Sequence, residues 1–286
     1  MIVVTAATGP FGRLAVEALL RRGVPAGEVV AAVRSPERAA GLAALGVVVR
    51  EADYDRPGTL AAAFEGADRV LLVSGNDVGR RIPQHQAVID AARAAGVRLL
   101  AYTSVLHADD ATLSIAPEHR ATEEYLAASG LPHVLLRNGW YTENYAPTAR
   151  QGVATGTVIG ATGEGRIASA SRADYADAAA AVLTGGDVHA GAVYELSGDT
   201  AWTMAEFAAT LADVAGTPVV HRDLTPDAYA AALAGNGVPE EVARMLAGME
   251  TDIAAGALAD TPGDLARLTG RPTTPLRDTL AELLKD

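Results

Sequence analysis

The sequence contains no cysteine and only one lysine, Lys285, which stands next to the C-terminus. Without cysteine, the chain cannot form disulfides, thiolate metal sites or a cysteine nucleophile. Without an internal lysine, it has no active-site lysine in the body of the fold. The lysine of a GxxxxGK[ST] phosphate-binding loop is excluded for the same reason. Aromatic residues are also scarce, at 5%.

Acidic residues outnumber basic residues, and the formal net charge is -12. Nucleic acids and anionic membrane surfaces are bound through clustered cations, so we expect neither as a partner. The apolar runs are far shorter than the roughly 20 residues that cross a bilayer, and no basic segment precedes an apolar stretch at the N-terminus. We therefore predict a cytoplasmic protein without membrane insertion. The six histidines are scattered and predict no metal site.

Short apolar runs alternate with amphipathic stretches through the first half of the chain. The runs that we predict to be strands are MIVVT, EVVAAVR, VVVREADY, DRVLLVSG, VRLLAYTS and HVLLRNGW. Strands that are apolar on both faces and joined by helices indicate a parallel sheet covered on both sides. The predicted fold class is therefore α/β, with a doubly wound parallel sheet of the Rossmann type. Ser35 and Pro36 predict the start of a helix that reaches about Leu45.

The composition changes after residue 150, where Gly, Ala, Ser and Thr dominate. We expect residues 1–150 to form a dinucleotide-binding domain. Residues 151–286 then form a smaller mixed subdomain over the carboxyl edge of the sheet, and part of it can pack back on the sheet. AVYELSG predicts a late strand, and Thr203 with Glu206 predicts a capping box at the start of the next helix.

The segment TAATGPFG, residues 5–12, follows the first predicted strand and resembles a dinucleotide-binding turn. Gly9 and Gly12 stand where such turns need close backbone approach and tight helix packing, and Thr8 adds a hydroxyl. The helix N-terminus supplies N–H groups for phosphate. Ala6 replaces the usual first glycine. The replacement costs little conformational free energy if the φ of Ala6 is negative, and about 1 kcal/mol or more if it is positive. A turn in which the glycines serve packing alone is the alternative.

Arg34 ends the second predicted strand, where NAD enzymes usually carry an acidic residue for the ribose 2′-hydroxyl. A guanidinium can instead bind the 2′-phosphate of NADP through two hydrogen bonds. We therefore predict that NADP(H) is preferred over NAD(H), although a solvated arginine is the alternative. At the same edge, Asp53 or Tyr54 can line the adenine, and Ser74 and Gly75 can pass under the ribose and nicotinamide. Ordinary turns at the strand ends are the equal alternative for both segments.

The proton-donating pair of standard short-chain dehydrogenases, YxxxK, is missing. Ser104 ends the fifth predicted strand, but the following helix carries His119 and Glu123 at that spacing. These two side chains are either an ordinary surface pair or lining residues of the site. Ketone reduction by the usual route is therefore not expected, because the strongly basic alkoxide needs an acid at once.

Six segments, in this order and spacing, resemble the type 2 NAD(P)H:quinone oxidoreductases of the NmrA-like atypical short-chain dehydrogenases. They are TAATGPFG, VRSPER, YTSVLHAD, LRNGWYTENY, IASASRADYADAAA and YELSGDTAWT. The resemblance covers essentially the whole chain and implies NADPH binding, with a quinone in the cleft beside the nicotinamide. The cofactor-binding residues expected from it are Ala6, Ala7, Thr8, Gly9, Pro10, Phe11, Gly12, Arg34, Ser74, Gly75, Asn76, Asn138, Gly139, Trp140, Tyr141, Thr142, Glu143 and Asp174.

Quinone chemistry agrees with this set of residues. Hydride addition gives a hydroquinone monoanion of roughly phenolic acidity, near pKa 10, which water or a histidine can protonate. Trp140 and Tyr141 are expected to form an aromatic wall, with His107 and Asn144 as further candidates in the substrate cleft. Burial of the aromatic residues under the C-terminal subdomain is the alternative. An NADP-binding redox sensor without turnover and a reductase of another activated double bond are the alternatives. The sequence leaves open whether the protein forms a homodimer.

Overall fold

The computed structural model describes residues 1–285 and is built around a seven-stranded parallel sheet with the order β3-β2-β1-β4-β5-β6-β8. A separate parallel pair joins β7 to β9. The nine strands are β1 (Ile2–Val4), β2 (Val29–Val33), β3 (Val48–Glu51), β4 (Arg69–Leu72), β5 (Leu99–Val105), β6 (His133–Asn138), β7 (Thr157–Gly160), β8 (Val193–Leu196) and β9 (Val220–Asp223). The predicted doubly wound α/β class is confirmed, and the strand order reverses between β1 and β4, where such sheets bind ligands.

Alternating side chains of each strand enter two different cores. In β2, Val29, Ala31 and Val33 belong to the core on one face of the sheet. Val30 and Ala32 belong to the core on the other face. All five are fully buried, which is why the strands read as continuous apolar runs in the sequence.

Helices cover both faces of the sheet and build the C-terminal part. They are α1 (Pro10–Arg21), α2 (Ala40–Ala43), α3 (Pro57–Ala63), α4 (Arg81–Ala94), α5 (Ala116–Ala128), α6 (Ala146–Thr155), α7 (Arg172–Thr184), α8 (Met204–Ala215), α9 (Pro226–Gly235), α10 (Glu240–Ala254), α11 (Asp264–Thr269) and α12 (Leu276–Leu283). The capping box of Thr203 and Glu206 is present at α8, as predicted. The prediction of a single helix from Pro36 to Leu45 is wrong, because a 3₁₀ turn over Pro36–Ala39 precedes the short α2. The Ser35 side chain makes no capping hydrogen bond.

The chain after residue 150 contributes to both parts of the molecule. β8 pairs with β6 at the edge of the main sheet, and α7 packs against α1. β7, α6, α8, α10 and α12 surround a third core, which contains Tyr145, Trp202 and Phe207. The division into residues 1–150 and 151–286 stays a prediction. No helix within residues 1–285 combines the length and apolar character that crossing a bilayer requires.

Candidate cofactor and acceptor site

Two adjoining clefts open at the carboxyl ends of the sheet strands, at the reversal between β1 and β4. The first cleft has a volume of about 380 Å³ and the second about 480 Å³. The predicted residues in the first cleft are Ala6, Thr8, Gly9, Pro10, Arg34, Asp53, Tyr54, Ser74, Gly75 and Asn76. Those in the second cleft are Ala6, Gly9, Pro10, Phe11, Gly12, Ser74, Gly75, Asn76, Ser104, His119, Asn138, Gly139, Trp140, Tyr141 and Asn144. The shared residues make the two clefts one continuous groove.

The loop between β1 and α1 forms the common wall of both clefts. The Gly9 N–H donates to the Ala6 carbonyl at 2.8 Å, and α1 begins directly after it at Pro10, where the first-turn N–H groups have no partner within the helix. A Cβ on Gly12 would overlap the Ala6 carbonyl oxygen and lie 2.9 Å from Ala7 Cα. Gly12 is therefore required by close backbone approach within the turn.

Ala6 adopts a left-handed conformation, with φ at 47°. This conformation costs an L-residue roughly 1–2 kcal/mol, so the missing glycine carries a real conformational penalty. We expect Ala6→Gly to raise the free energy of unfolding by at most about 1 kcal/mol, because the added freedom of the unfolded chain offsets part of the relief. NADPH affinity should stay equal or increase.

Urea unfolding and calorimetric titration with NADPH check this prediction. Ala7→Gly is the matched control, because Ala7 is buried and its φ is not positive, so that change should destabilise the protein by about 1 kcal/mol. A sharp loss of NADPH affinity in Ala6→Gly would contradict the expected relief of strain.

Arg34 lies exposed at the end of β2 and shares the first cleft with Arg38. Within residues 1–285, neither guanidinium has a carboxylate or hydrogen-bond partner, whereas the neighbouring acids do. Asp53 pairs with Arg56 at 2.9 Å, and Asp55 pairs with Arg80 at 2.8 Å. The two arginines are therefore available to an anion. Arg38 was missed in the sequence, although its position four residues after Arg34 is a usable signal.

Asp53 is held in its charged form despite lying in the cleft. Burial raises its pKa, but the hydrogen bonds from Arg56 and the Asp55 backbone, with the charges of Arg56 and Arg34, bring the pKa below its usual value. The Tyr54 hydroxyl is tied to Thr5 Oγ1 at 2.5 Å and to the Val73 carbonyl at 2.9 Å. Both side chains therefore form fixed walls of the first cleft.

Side chains of α4 form hydrogen bonds to the loop at Ser74–Asn76. The Gly75 N–H donates to His85 Nε2 at 3.0 Å, and Arg81 Nε donates to the Gly75 carbonyl at 2.8 Å. His85 Nδ1 lies 3.0 Å from Thr122 Oγ1, whose own proton goes to the Glu118 carbonyl. These bonds assign the neutral tautomer of His85 with the proton on Nδ1. Neither His85 nor Arg81 could be found from local sequence, because their partners are distant in the chain.

His119 and Glu123 are both buried, so the surface pair considered from their spacing is wrong. His119 lines the second cleft, and its Nδ1 lies 2.8 Å from the Tyr102 hydroxyl. Glu123 lies behind the cleft, where it accepts a hydrogen bond from Ser104 at 2.5 Å and binds Arg137 through both oxygens. Ser104 has its proton committed to Glu123 and can offer only lone pairs to a ligand.

Burial lowers the pKa of His85 and of His119 to about 3, with nearby Arg81 contributing. The unfolded chain binds these protons near pH 6.5 and the folded protein does not, so stability is present above pH 6.5 and is lost as pH falls. We expect a loss of about 2 kcal/mol for each histidine between pH 7 and pH 5. Urea unfolding at both pH values measures it.

His85→Gln supplies the control for that measurement, because glutamine offers an oxygen near the position of Nε2 without titrating. The pH-dependent loss should fall by about half in this variant. Equal free energies of unfolding at pH 7 and pH 5 in the unsubstituted protein would contradict the neutral, buried state of the two histidines.

Aromatic side chains form one wall of the second cleft. The Tyr141 ring stacks on Phe11 with centroids 6.0 Å apart, and the Arg172 guanidinium lies 5.0 Å from its centroid. Asn138 Nδ2 donates to the Tyr141 hydroxyl at 3.1 Å. The Asn138 Oδ1 is buried without a hydrogen-bond partner in the part of the chain that the structure describes. A buried amide oxygen without a partner is costly, and an amide N–H of a ligand at this wall would satisfy it.

Five of the predicted site residues line neither cleft. Ala7 is buried in the core, and the Thr142 hydroxyl lies 2.8 Å from Ser169 Oγ. Glu143 accepts hydrogen bonds from the Arg172 N–H, Asp174 is buried and accepts from the Thr274 N–H, and His107 Nε2 lies 3.0 Å from Asp260. The contacts of Thr142, Glu143 and Asp174 hold the loop after β6 and the start of α7, and the contact of His107 holds the loop after β5. A direct role of the five in ligand binding stays a prediction.

Comparison with known proteins gives consistent similarities. A family model described as NAD(P)H-binding matches residues 6–185. Quinone oxidoreductase 2 of Escherichia coli is 47% identical over 99% of this chain and 98% of that protein. Its crystal structure complexed with NADPH superposes with a TM-score of 0.95, covering 99% of this chain and 100% of that one.

Two further relatives extend the comparison. The Citrobacter sp. triphenylmethane reductase complexed with NADP(H) has a TM-score of 0.93 and 36% identity, covering 99% of this chain and 100% of that one. An NmrA-like family domain-containing oxidoreductase, flvB, of Aspergillus flavus is 30% identical over 99% of this chain and 94% of that protein.

Proposed function

Since the chain belongs to the NAD(P)H-binding family and groups with its NmrA-like quinone oxidoreductases, we propose that it catalyses the two-electron reduction of quinones by NADPH. In this reaction one quinone and one proton are converted to a hydroquinone as NADPH becomes NADP⁺. The observation that carries the proposal is the continuous groove from Arg34, which has no protein partner within residues 1–285, to the aromatic wall at Trp140. It joins an anion site to a flat apolar surface.

The residues of the groove fit NADPH along its length. Arg34 and Arg38 suit a 2′-phosphate, and the N-terminus of α1 suits the pyrophosphate. Asn138 Oδ1 can accept from a carboxamide N–H at the nicotinamide end. Bound there, NADPH supplies the hydride, while the chain positions the acceptor and excludes water. The match to the NADPH-complexed E. coli relative supports NADP(H) as the preferred cofactor.

We propose that no tyrosine–lysine relay takes part in the reaction. The body of the chain has no lysine, and the corresponding helix presents His119, whose pKa near 3 keeps it neutral. The hydroquinone anion, with a pKa of about 10 by analogy with tyrosine, takes its proton from water, because the neutral His119 carries no acidic proton to give. Direct hydride transfer is therefore compatible with the side chains present.

Anaerobic mixing of the protein with NADPH and 1,4-benzoquinone tests the function. We expect loss of the absorbance of the reduced nicotinamide at a rate proportional to protein concentration, and a much slower loss with Gly12→Ala at the same NADPH concentration. Binding of NADPH without its consumption would overturn the enzymatic proposal and indicate a redox sensor. Consumption with activated alkenes alone would indicate a different acceptor.

The proposal also covers the cellular location, the substrate and the oligomeric state of the protein. The cytoplasm, where NADPH is regenerated, is the proposed location, and a small quinone is the proposed partner. A homodimer stays a prediction that sedimentation analysis can test.

A further inference from the structure

A third cavity adjoins the second cleft and lies between α6, β7, α9 and α10. Its volume is about 630 Å³, which is within the roughly 300–1,000 Å³ of sites for small ligands. The two cavities share Trp140, Asn144 and Met249 as lining residues. The second cleft and the third cavity therefore adjoin at these three side chains.

The floor of the third cavity is apolar. Tyr145, Val158 and Ile253 line it and are buried. Glu250 is the single titratable carboxyl group among the lining residues of the described chain, and its Oε2 accepts a hydrogen bond from the Ala161 N–H at 2.7 Å. Burial raises the pKa of Glu250. The cavity is therefore built for a ligand with little charge.

The outer wall is an incompletely covered apolar face. Tyr229, Ala232 and Leu233 of α9 line the cavity, and their spacing of three and four residues places them on one face of the helix. No residue of α9 is buried. An apolar group in the cavity would remove this face from water, which is favourable in proportion to the area covered.

We propose that the third cavity, here called the side-chain chamber, binds the hydrophobic substituent of a quinone whose ring lies in the second cleft. This inference rests on the proposed function and specifies its substrate class as quinones that carry a prenyl or alkyl chain. Trp140 and Met249, at the junction, offer a flat and a flexible apolar surface to the chain. A bare benzoquinone ring would leave the chamber to water.

The first test compares two acceptors with the unsubstituted protein and NADPH. One is 2,3-dimethoxy-5-methyl-1,4-benzoquinone, and the other is the same ring with a ten-carbon geranyl chain. Each fully buried methylene is worth about a fourfold change in binding, so we expect kcat/KM to be at least about tenfold higher for the second quinone, mainly through KM. Equal values for the two quinones, with both reduced, would overturn the chamber and leave the proposed function standing.

The second test fills the chamber from α9. Ala232→Trp places an indole in the cavity, and we expect it to remove most of the preference for the geranyl quinone. The rate with the chain-free quinone and the affinity for NADPH should not change. Ala231→Trp is the matched control, because Ala231 is exposed on the same helix and does not line the cavity. The same effect in both variants, or a preference unchanged in Ala232→Trp, would overturn the proposal.

Equilibrium binding separates the chamber from the enzymatic proposal. If neither quinone is reduced, both are titrated into NADP⁺-saturated protein and followed by tryptophan fluorescence. Tighter binding of the geranyl quinone to the unsubstituted protein, lost in Ala232→Trp, would support the chamber while the proposed function fails. Equal binding of the two quinones would overturn the chamber as well.

Discussion

Gly12→Ala is expected to weaken NADPH binding by at least about 100-fold, equivalent to about 2.7 kcal/mol. The added Cβ would overlap the Ala6 carbonyl oxygen and lie 2.9 Å from the Ala6 carbonyl carbon and Ala7 Cα. These are backbone atoms of the turn, so the clash cannot be relieved by rotating a side chain. The turn must open, and the N–H groups at the start of α1 lose their alignment with the pyrophosphate.

Calorimetric titration with NADPH measures this loss, and circular dichroism establishes that the variant is folded. Gly9→Ala gives a graded comparison, because its Cβ would lie 3.1 Å from the same oxygen, and we expect an intermediate loss. Gly58→Ala is the control: a Cβ there meets nothing within 4 Å, so binding should not change. A folded Gly12→Ala protein with normal affinity would show that this turn does not hold the cofactor.

Arg34→Ala should weaken NADPH binding by about 1–3 kcal/mol, or roughly 5- to 150-fold, while NADH binding changes little. The reason is that the guanidinium faces the first cleft without a protein partner in residues 1–285, so a 2′-phosphate is the group that it would pair with. Arg34→Lys should recover only part of the loss, because lysine keeps the charge but not the two-pronged geometry.

Titrations of both cofactors into Arg34→Ala and Arg38→Ala determine how the two arginines share the phosphate. Arg21→Ala is the control, since Arg21 is exposed on α1 and lines neither cleft. Equal losses for NADPH and NADH in Arg34→Ala would remove the assignment of Arg34 to the 2′-phosphate.

The central sheet was predictable because the physics that forms it is local and periodic. Strands buried on both faces require continuous apolar residues, and six such runs were visible before residue 150. The helix at Ser35 was predicted wrongly because a serine followed by proline indicates a helix start but not its geometry. The segment after residue 196 packs into the third core through contacts with residues that are distant in the sequence. Such contacts leave no periodic pattern of apolar residues from which they could be predicted.

In the candidate site, too, the residues that were predicted are those with a local sequence pattern. Gly9, Gly12 and Arg34 were found because each stands at a fixed offset from a strand end. His85, Arg81 and the partners of Glu123 were missed because their roles arise from contacts between α4, α5 and distant loops. The spacing of His119 and Glu123 indicated a shared helix face but could not show that this face is buried.

Single-turnover reduction of 1,4-benzoquinone by NADPH deuterated at the transferred position of the nicotinamide tests the central claim most directly. The account predicts that the protein binds NADPH in the groove and that the deuterated cofactor is oxidised more slowly than the ordinary one, since the hydride moves directly to the quinone. Oxidation at the same rate with both cofactors, under conditions where chemistry limits the turnover, would contradict direct transfer. Failure of NADPH to bind at all would contradict the whole account.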